Sequence, residues 1–204
     1  ILNRDDDGDR NTAGLQGLTV RGTANAGNTV TITSTLSGGS LPATAGVGTD
    51  GTWSITGVTL AEGQQTITVR ATDSAGQAGM PITFNALVDT VVPNAPTIGA
   101  PSNNSTLNAS NDTDTSRFGL QFTATGTGEA SARLHLFVLR GPVIVGEQRN
   151  VSIASSGNWS QLIALPDGVL AVQAWVVDSA HNRSSPTTVT VSYTNLTQPT
   201  ILLL

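Results

Sequence analysis

The sequence predicts an all-β protein built from two tandem sandwich domains, and three observations carry that prediction. First, residues 63–75 recur as residues 168–180, with the same spacing of 105 residues at both ends. Second, both copies open with glycine, carry apolar residues at every second position and stop at Asp-Ser-Ala, which is typical of a half-buried strand ending in a turn. Third, glycine, threonine, serine and valine are abundant while helical periodicity is weak. We therefore expect almost no helix.

A gapless internal repeat of this length indicates two related domains rather than one large fold. We predict domain 1 over residues 1–92 and domain 2 over residues 93–204. Two prolines within residues 89–96 stiffen the predicted linker, because each fixes its own φ. The segment Gln198–Ile201 resembles Ala95–Ile98, which opens domain 2, so we expect the chain to run into a further repeat.

Within each domain, short alternating runs are separated by turn residues. In domain 1, residues 18–22 and 29–33 alternate on either side of an Asn/Gly-rich turn, which predicts a hairpin. Trp53 and Trp159 each start a strand just after a glycine-containing turn and are predicted to fill the cores. About seven such strands per domain, with turns roughly every 8–12 residues, are typical of an immunoglobulin-like (fibronectin type III-like) β-sandwich.

Three motifs in domain 1 point to a family. Residues 22–30 read Gly-Thr-Ala-Asn-Ala-Gly-Asn-Thr-Val, residues 50–54 read Asp-Gly-Thr-Trp-Ser, and residues 71–77 read Ala-Thr-Asp-Ser-Ala-Gly-Gln. Together with the linker residues 88–93, they resemble the bacterial immunoglobulin-like repeats of large surface adhesins and biofilm-associated proteins. The resemblance covers nearly the whole chain and is weaker in domain 2, where His181 takes a turn position that is glycine in domain 1. It implies a rod of stacked repeats at the bacterial cell surface, stiffened by calcium at the joints.

The composition excludes several classes of function. The chain has 14 acidic residues against nine arginines, with no lysine and no cysteine, and its net charge is −5. An acidic chain without a basic stripe is unsuited to nucleic acid, and the absence of cysteine excludes disulfides and thiolate chemistry. No apolar run approaches the roughly 20 residues that a membrane-spanning helix needs, so we expect no membrane insertion by this fragment.

Neither histidine indicates a catalytic site. His135 and His181 both lie in domain 2, and neither has a serine or aspartate partner at an informative spacing. Strands so rich in hydroxyl groups bring some serine or threonine near any histidine, so proximity alone says little. We predict that the protein is not an enzyme.

Clustered aspartates predict calcium sites. Asp5, Asp7 and Asp9 alternate near the start of the chain, and Asp7 and Asp9 are repeated 105 residues later as Asp112 and Asp114. Hard cations take several oxygen ligands, and neighbouring carboxylates repel one another without a cation. The alternative is that these aspartates cap backbone N–H groups in turns.

A complete EF-hand is excluded, because its twelfth position would be Gln16 rather than a bidentate glutamate. We therefore predict calcium sites of another kind. They are an N-terminal site formed by Asp5, Asp7 and Asp9, and a site between the domains formed by Asp112 and Asp114 with Asp89 or Asp73.

Strand parity predicts a ligand-binding patch on the outer face of domain 2. If Leu134 and Leu136 point to the core, then His135 and Phe137 point outward, and the same parity turns Trp175 outward. Sandwiches of this kind place these two strands side by side in one sheet. Exposed aromatic rings stack on sugars or anchor protein partners. The predicted ligand-binding patch therefore consists of His135, Phe137 and Trp175.

Two alternatives leave this face without a ligand: residues 140–148 fold over it, or domain 1 covers it. For the chain as a whole, we expect a non-catalytic stalk or adhesion module of a bacterial cell-surface or secreted protein. Its partners would be neighbouring repeats of the same chain and a host or cell-surface protein or glycan. The alternative function is an accessory carbohydrate-binding or spacer module of a secreted polysaccharide-active enzyme. Both functions predict an extracellular location.

Overall fold

A computed structural model describes residues 1–7, 13–117 and 119–194. The chain divides into two units, Ile1–Val92 and Pro93–Leu204. Strands and their connections make up the described residues, apart from two single-turn 3₁₀ helices at Arg4–Asp6 and Ala109–Asn111. None of the helices in these described ranges is long and apolar enough to cross a bilayer. The prediction of an all-β protein is confirmed.

Unit 1 has seven described strands in two sheets. In chain order they are β1 (Leu2–Asn3), β2 (Leu15–Thr23), β3 (Thr29–Ser34), β4 (Ala43–Gly46), β5 (Thr52–Leu60), β6 (Gly63–Thr72) and β7 (Ile82–Asp89). The larger sheet has the order β1-β7-β6-β3-β4, and β2 pairs with β5 in the smaller one. Strands of both sheets supply the core, which includes Val30, Ile32, Trp53 and Ile67.

Unit 2 repeats this plan with seven described strands. They are β8 (Ser105–Leu107), β9 (Leu120–Thr127), β10 (Arg133–Arg140), β11 (Val143–Ser152), β12 (Asn158–Leu165), β13 (Gly168–Val177) and β14 (Thr187–Tyr193). The larger sheet has the order β11-β10-β13-β14-β8, and β9 pairs with β12. The core includes Leu134, Leu136, Trp159 and Val172. Two sheets around one core in each unit confirm the predicted immunoglobulin-like sandwich, and both tryptophans fill cores as predicted.

The strand registers show that the repeat in sequence is also a repeat in structure. Val69 of β6 lies opposite Ile82 of β7 in unit 1. In unit 2, Ala174 of β13 lies opposite Thr187 of β14, and both are 105 residues further along the chain. Positions in the two larger sheets can therefore be compared residue by residue.

The hairpin predicted from residues 18–22 and 29–33 is wrong. Both segments are strands, but β2 pairs with β5, whereas β3 pairs with β4 and β6. Residues 24–28 therefore cross from one sheet to the other. The alternation fixes which residues of a strand face the core, and two strands on opposite sheets satisfy it as well as two neighbours do.

Candidate functional site

An aromatic–arginine cluster lies on the outer face of the larger sheet of unit 2. Its members are His135, Phe137, Arg149, Trp175 and Arg183. His135 of β10 lies directly opposite Trp175 of β13, and their rings stack with centroids 5.9 Å apart and planes 6° apart. Phe137 stacks on the same Trp175 ring at 4.5 Å and 10°. The structure thus brings together the three residues that parity predicted, on two strands that are neighbours as expected.

Two arginines complete the cluster, and strand parity did not identify them. The guanidinium carbon of Arg183 lies 3.9 Å from the Trp175 ring centroid, and that of Arg149 lies 5.2 Å from the Phe137 ring centroid. Arg149 extends from β11, the neighbour of β10. Arg183 follows the turn after β13, where it forms an isolated bridge with Val177. A cation over an aromatic face contributes about 0.5–1 kcal/mol at exposed sites.

Phe137 points away from the core, but the expectation that it is exposed is wrong. Its side chain is only 3% exposed, because Trp175 stacks on it and Arg149 lies over its ring. Residues 140–148 do not fold over this face, since residues 143–152 form the edge strand β11 beside β10. What the cluster presents to solvent is two half-buried rings and two exposed arginines.

The charge of the cluster comes from its arginines. Burial lowers the pKa of His135 below its ordinary value of 6.5, and the positive charges of Arg149 and Arg183 lower that pKa further. Nδ1 of His135 is buried without a hydrogen-bond partner among the described residues. Arg149 is paired with Glu147 at 2.9 Å, whereas Arg183 meets no carboxylate in the described part of the chain. At neutral pH the cluster therefore presents one unpaired guanidinium beside an aromatic surface.

Unit 1 does not share this cluster. Thr31 and Arg70 are paired at the positions that His135 and Trp175 take in unit 2. A threonine offers no ring for stacking, so the aromatic–arginine cluster distinguishes unit 2 from its repeat.

The aspartates of unit 2 bond to their own loop. Asp112 Oδ1 accepts the backbone N–H groups of Asp114 at 3.0 Å and Gln121 at 3.1 Å. Asp114 Oδ1 accepts the hydroxyl and the backbone N–H of Ser116, and its Oδ2 pairs with Arg117 at 3.1 Å. The hydrogen bonds from Ser116 lower the pKa of Asp114. These oxygens face N–H and O–H groups, so they fit a calcium ion poorly.

The N-terminal aspartates are described in part. Asp7 is buried, and its Oδ1 accepts the backbone N–H of Gln16 at 2.8 Å, the same bond that its counterpart makes in unit 2. Asp5 lies in the first 3₁₀ turn and donates its N–H to the side chain of Asn3. Asp9 lies outside the described residues. Within residues 1–7, 13–117 and 119–194, no three His, Cys, Asp or Glu side chains are grouped to hold a metal ion. Calcium at the N-terminal aspartates stays a prediction.

The other two aspartates considered for calcium lie at the ends of strands in unit 1. Asp73 Oδ1 accepts the N–H groups two and four residues further along the chain, at 2.9 and 2.8 Å, and so closes the turn after β6. Asp89 is the last residue of β7, where it pairs with β1. The site between the domains, formed by either residue with Asp112 and Asp114, stays a prediction.

A comparison with protein families finds a match to most of unit 1. A family model described as a bacterial Ig domain matches residues 7–87. Most of unit 1 is therefore similar to bacterial Ig domains. The resemblance predicted from the motifs at 22–30, 50–54 and 71–77 is thereby confirmed, because all three lie within the match. No curated protein gives a significant match to the chain.

Solved structures resemble this chain at low identity. Fibronectin(III)-like modules of Clostridium thermocellum CbhA are 15% identical, with 92% of this chain and 93% of that chain covered and a TM-score of 0.44. A BSP domain structure of a biofilm-associated protein is 19% identical, with 92% and 30% covered and a TM-score of 0.29. A chimeric titin Z1Z2 tandem carrying a fibronectin peptide is 15% identical, with 89% and 93% covered and a TM-score of 0.31. With TM-scores this low, the resemblance to a family rests on the bacterial Ig match at residues 7–87.

Proposed function

We propose that this chain is a non-catalytic adhesion or spacer module of a bacterial protein that is displayed on the cell surface or secreted. The observation that carries the proposal is the bacterial Ig domain at residues 7–87. Unit 2 repeats the strand order of unit 1, and repeated units of one fold are suited to extended arrays. A sandwich of this kind binds partners through its loops, edges and outer faces, since its interior is filled by the core.

The proposed adhesive contact is the aromatic–arginine cluster, and its proposed ligand is an acidic cell-surface glycan. Arg183 has no carboxylate partner among the described residues, so its guanidinium is available for a carboxylate or sulfate group. The half-buried ring of Trp175 supplies apolar surface for the body of a sugar. Because Arg183 already lies over this ring, a neutral sugar would have to displace the guanidinium to stack there. An acidic group can instead pair with the guanidinium where it lies.

The same cluster favours a second candidate function, an accessory carbohydrate-binding module of a secreted polysaccharide-active enzyme. Stacked aromatic residues on a sheet face suit a long polysaccharide as well as a cell-surface glycan. The parent polypeptide distinguishes the two candidates. A flanking catalytic domain favours the enzyme accessory, and many more copies of the 105-residue repeat favour the adhesin.

The proposal includes a calcium ion bound by Asp5, Asp7 and Asp9. In unit 2, the carboxylates of Asp112 and Asp114 accept hydrogen bonds from their own loop. Asp7 makes the same bond to its own loop, so calcium at the start of unit 1 is proposed from the alternating spacing of Asp5, Asp7 and Asp9.

Labelling of intact cells tests the location. Antibodies raised against the purified chain are applied to unpermeabilised and permeabilised cells of the source bacterium, and the growth medium is blotted in parallel. We expect labelling of intact cells or recovery of the parent protein from the medium. Labelling only after permeabilisation would contradict the proposal.

Binding to immobilised chain tests the ligand, with heparin and alginate as acidic probes and dextran as the neutral probe. We expect retention of an acidic probe that weakens with salt and about tenfold weaker binding by Arg183→Gln, since hydrogen bonds to charged groups contribute about 1.5–3 kcal/mol. Arg70→Gln, at the strand position of unit 1 that matches Trp175, is the control. Retention of dextran that Trp175→Ala abolishes would favour the carbohydrate-binding module. No retention of any probe would exclude the cluster as a glycan site and leave a spacer role.

A further inference from the structure

His135 and Arg183 lie against the same aromatic ring. The imidazole of His135 stacks on Trp175 with centroids 5.9 Å apart, and the guanidinium carbon of Arg183 lies 3.9 Å from a Trp175 ring centroid. The chain has two histidines, and His135 is the one that belongs to the aromatic–arginine cluster. A titratable ring and a permanent positive charge are therefore neighbours within one cluster.

A second guanidinium acts on His135 from the neighbouring strand. Arg149 of β11 lies over the ring of Phe137, which is on the same face of β10 as His135, two residues further along. Burial lowers the pKa of His135 most, and the positive charges of Arg149 and Arg183 lower that pKa further. The cluster on its own therefore disfavours a proton on this histidine.

The other charged groups that the sheet places near His135 are bonded elsewhere. Arg133, on the same face of β10, donates to the hydroxyl of Ser152 at 2.6 Å. Glu147 of β11 pairs with Arg149 at 2.9 Å. The outward positions of β13 carry no ionisable side chain. Within the described residues, the sheet therefore presents no unpaired carboxylate to His135.

The turn after β13 adds two ionisable groups besides Arg183. Asp178 Oδ1 accepts the backbone N–H groups of Ala180 and Asn182, each at 2.8 Å, so this carboxylate is fixed to its own turn. His181 is exposed and has a left-handed backbone, with φ 73°. It provides a matched control histidine outside the aromatic stack.

The buried nitrogen of His135 also opposes protonation. Its Nδ1 has no hydrogen-bond partner among the described residues. A neutral imidazole can leave this nitrogen without a proton, whereas an imidazolium places a donor there that lacks an acceptor. A proton on His135 therefore requires a compensating negative charge nearby.

We propose that the cluster binds its acidic ligand together with a proton on His135, so that binding strengthens as the pH falls. The inference rests on the proposed glycan contact at Arg183 and concerns the regulation of that contact. An anion at Arg183 offsets the positive charge beside the imidazole, and the imidazolium in turn attracts the anion. The coupling is reciprocal, because the proton strengthens anion binding by the same factor as the anion strengthens proton binding.

Binding of dextran sulfate at constant ionic strength tests the proposal, with neutral dextran as the matched probe. The sulfate groups keep their charge between pH 7.5 and 5, so a change in affinity reports on the protein. We expect binding to be at least about fivefold tighter at pH 5 than at pH 7.5. His135→Gln should bind equally at both pH values. His181→Asn is the control, because asparagine tolerates a left-handed backbone, and it should keep the pH dependence.

NMR titration of the histidine side chains provides a second measurement on the full chain. In the absence of any glycan, Arg183→Gln should raise the pKa of His135, because it removes a positive charge held against Trp175. Arg70→Gln in unit 1 should leave that pKa unchanged. Addition of dextran sulfate to the wild type should raise it.

The outcomes separate this inference from the glycan contact on which it rests. Equal binding of dextran sulfate at both pH values, or a pH dependence that survives His135→Gln, would overturn the proton linkage and leave the glycan contact in place. A pKa of His135 that neither Arg183→Gln nor dextran sulfate moves would overturn the linkage even if His135→Gln does not fold. Absence of binding at either pH would overturn the glycan contact and the linkage with it.

Discussion

Phe137 and Trp175 stack on the outer face of unit 2 with their ring centroids 4.5 Å apart. Residues on the outer face of a sandwich sheet are ordinarily polar, because the outer face meets water. Here the stack buries Phe137 outside the core and holds Arg183 and Arg149 over its two rings. The outer face of unit 2 therefore contributes to stability as well as carrying the proposed binding surface.

Trp175→Ala should lower the free energy of unfolding of unit 2 by about 2 kcal/mol. The change removes an aromatic pair worth about 0.5–1.5 kcal/mol, the cation–π contact of Arg183 and part of the cover over Phe137. Urea unfolding followed by circular dichroism measures the effect. Arg70→Ala in unit 1 is the control and should change stability by less than about 0.5 kcal/mol. A loss no larger than that of the control would show that the stack does not stabilise the unit.

Gly126→Ala should destabilise unit 2 more than Gly22→Ala destabilises unit 1. In unit 2 the new Cβ meets the Thr97 carbonyl oxygen at 2.0 Å and the Trp159 ring at 2.6 Å, whereas in unit 1 its three nearest atoms all belong to the Trp53 ring, the closest at 2.8 Å. Overpacking costs about 1–3 kcal/mol, and the cost is higher when backbone must move. Thermal unfolding of both variants gives the comparison. Equal losses would mean that the segment at 95–100 moves aside at little cost.

Asp112→Ala should lower the free energy of unfolding of unit 2 by about 1–3 kcal/mol, because it leaves two backbone N–H groups without their acceptor. Asp112→Asn keeps an oxygen acceptor and should retain most of the stability. Glu147→Ala removes an exposed ion pair and should cost less than about 0.5 kcal/mol. Denaturant unfolding compares the three variants. If Asp112→Asn is as unstable as Asp112→Ala, the negative charge of the carboxylate contributes more to stability than its hydrogen bonds to the two N–H groups.

Calcium should raise the unfolding temperature of unit 1 and leave that of unit 2 unchanged. Binding to the native state alone stabilises it by mass action, by about 2.7 kcal/mol at a concentration of 100 Kd. Calorimetry in EDTA and then in millimolar calcium measures both transitions. Asp5→Asn should remove the shift, and Asp114→Asn should preserve it. The absence of any shift in the wild type would leave the N-terminal aspartates as turn caps.

The stability of unit 2 should fall as the pH is lowered from about 6.5. His135 has a lowered pKa in the folded chain, so the unfolded state takes up its proton first. The contribution of His135 to the stability of unit 2 is fully present above its ordinary pKa of 6.5 and is lost as the pH falls through its pKa in the folded chain. Urea midpoints between pH 7.5 and 5 measure this slope. His135→Gln should flatten it, and an unchanged slope in that variant would assign the effect to other groups.

Period-two alternation predicted much of the face that carries the cluster, because Leu134 and Leu136 fix the orientation of the residues between them. The constant spacing of 105 residues predicted which positions of the two units correspond. Arg149 and Arg183 were missed because their places depend on strand pairing and on the path of a turn, which local patterns do not encode. The burial of Phe137 was missed for the same reason.

The aspartates show a different limit of sequence reasoning. A carboxylate in a turn has the same sequence pattern whether it binds a cation or accepts backbone N–H groups. Only the backbone N–H groups of Gln121 and Gln16, which donate to Asp112 and Asp7, show that these carboxylates hold the entry loops of their units.

The first and last strands of unit 2 run parallel to each other. β8 pairs with β14 at three positions, whereas β1 pairs with β7 at two. When strands run in the same direction, a pull on opposite ends of the chain slides them past each other and loads their hydrogen bonds together instead of one after another. Under tension, therefore, we expect unit 2 to resist a larger force than unit 1 before it ruptures.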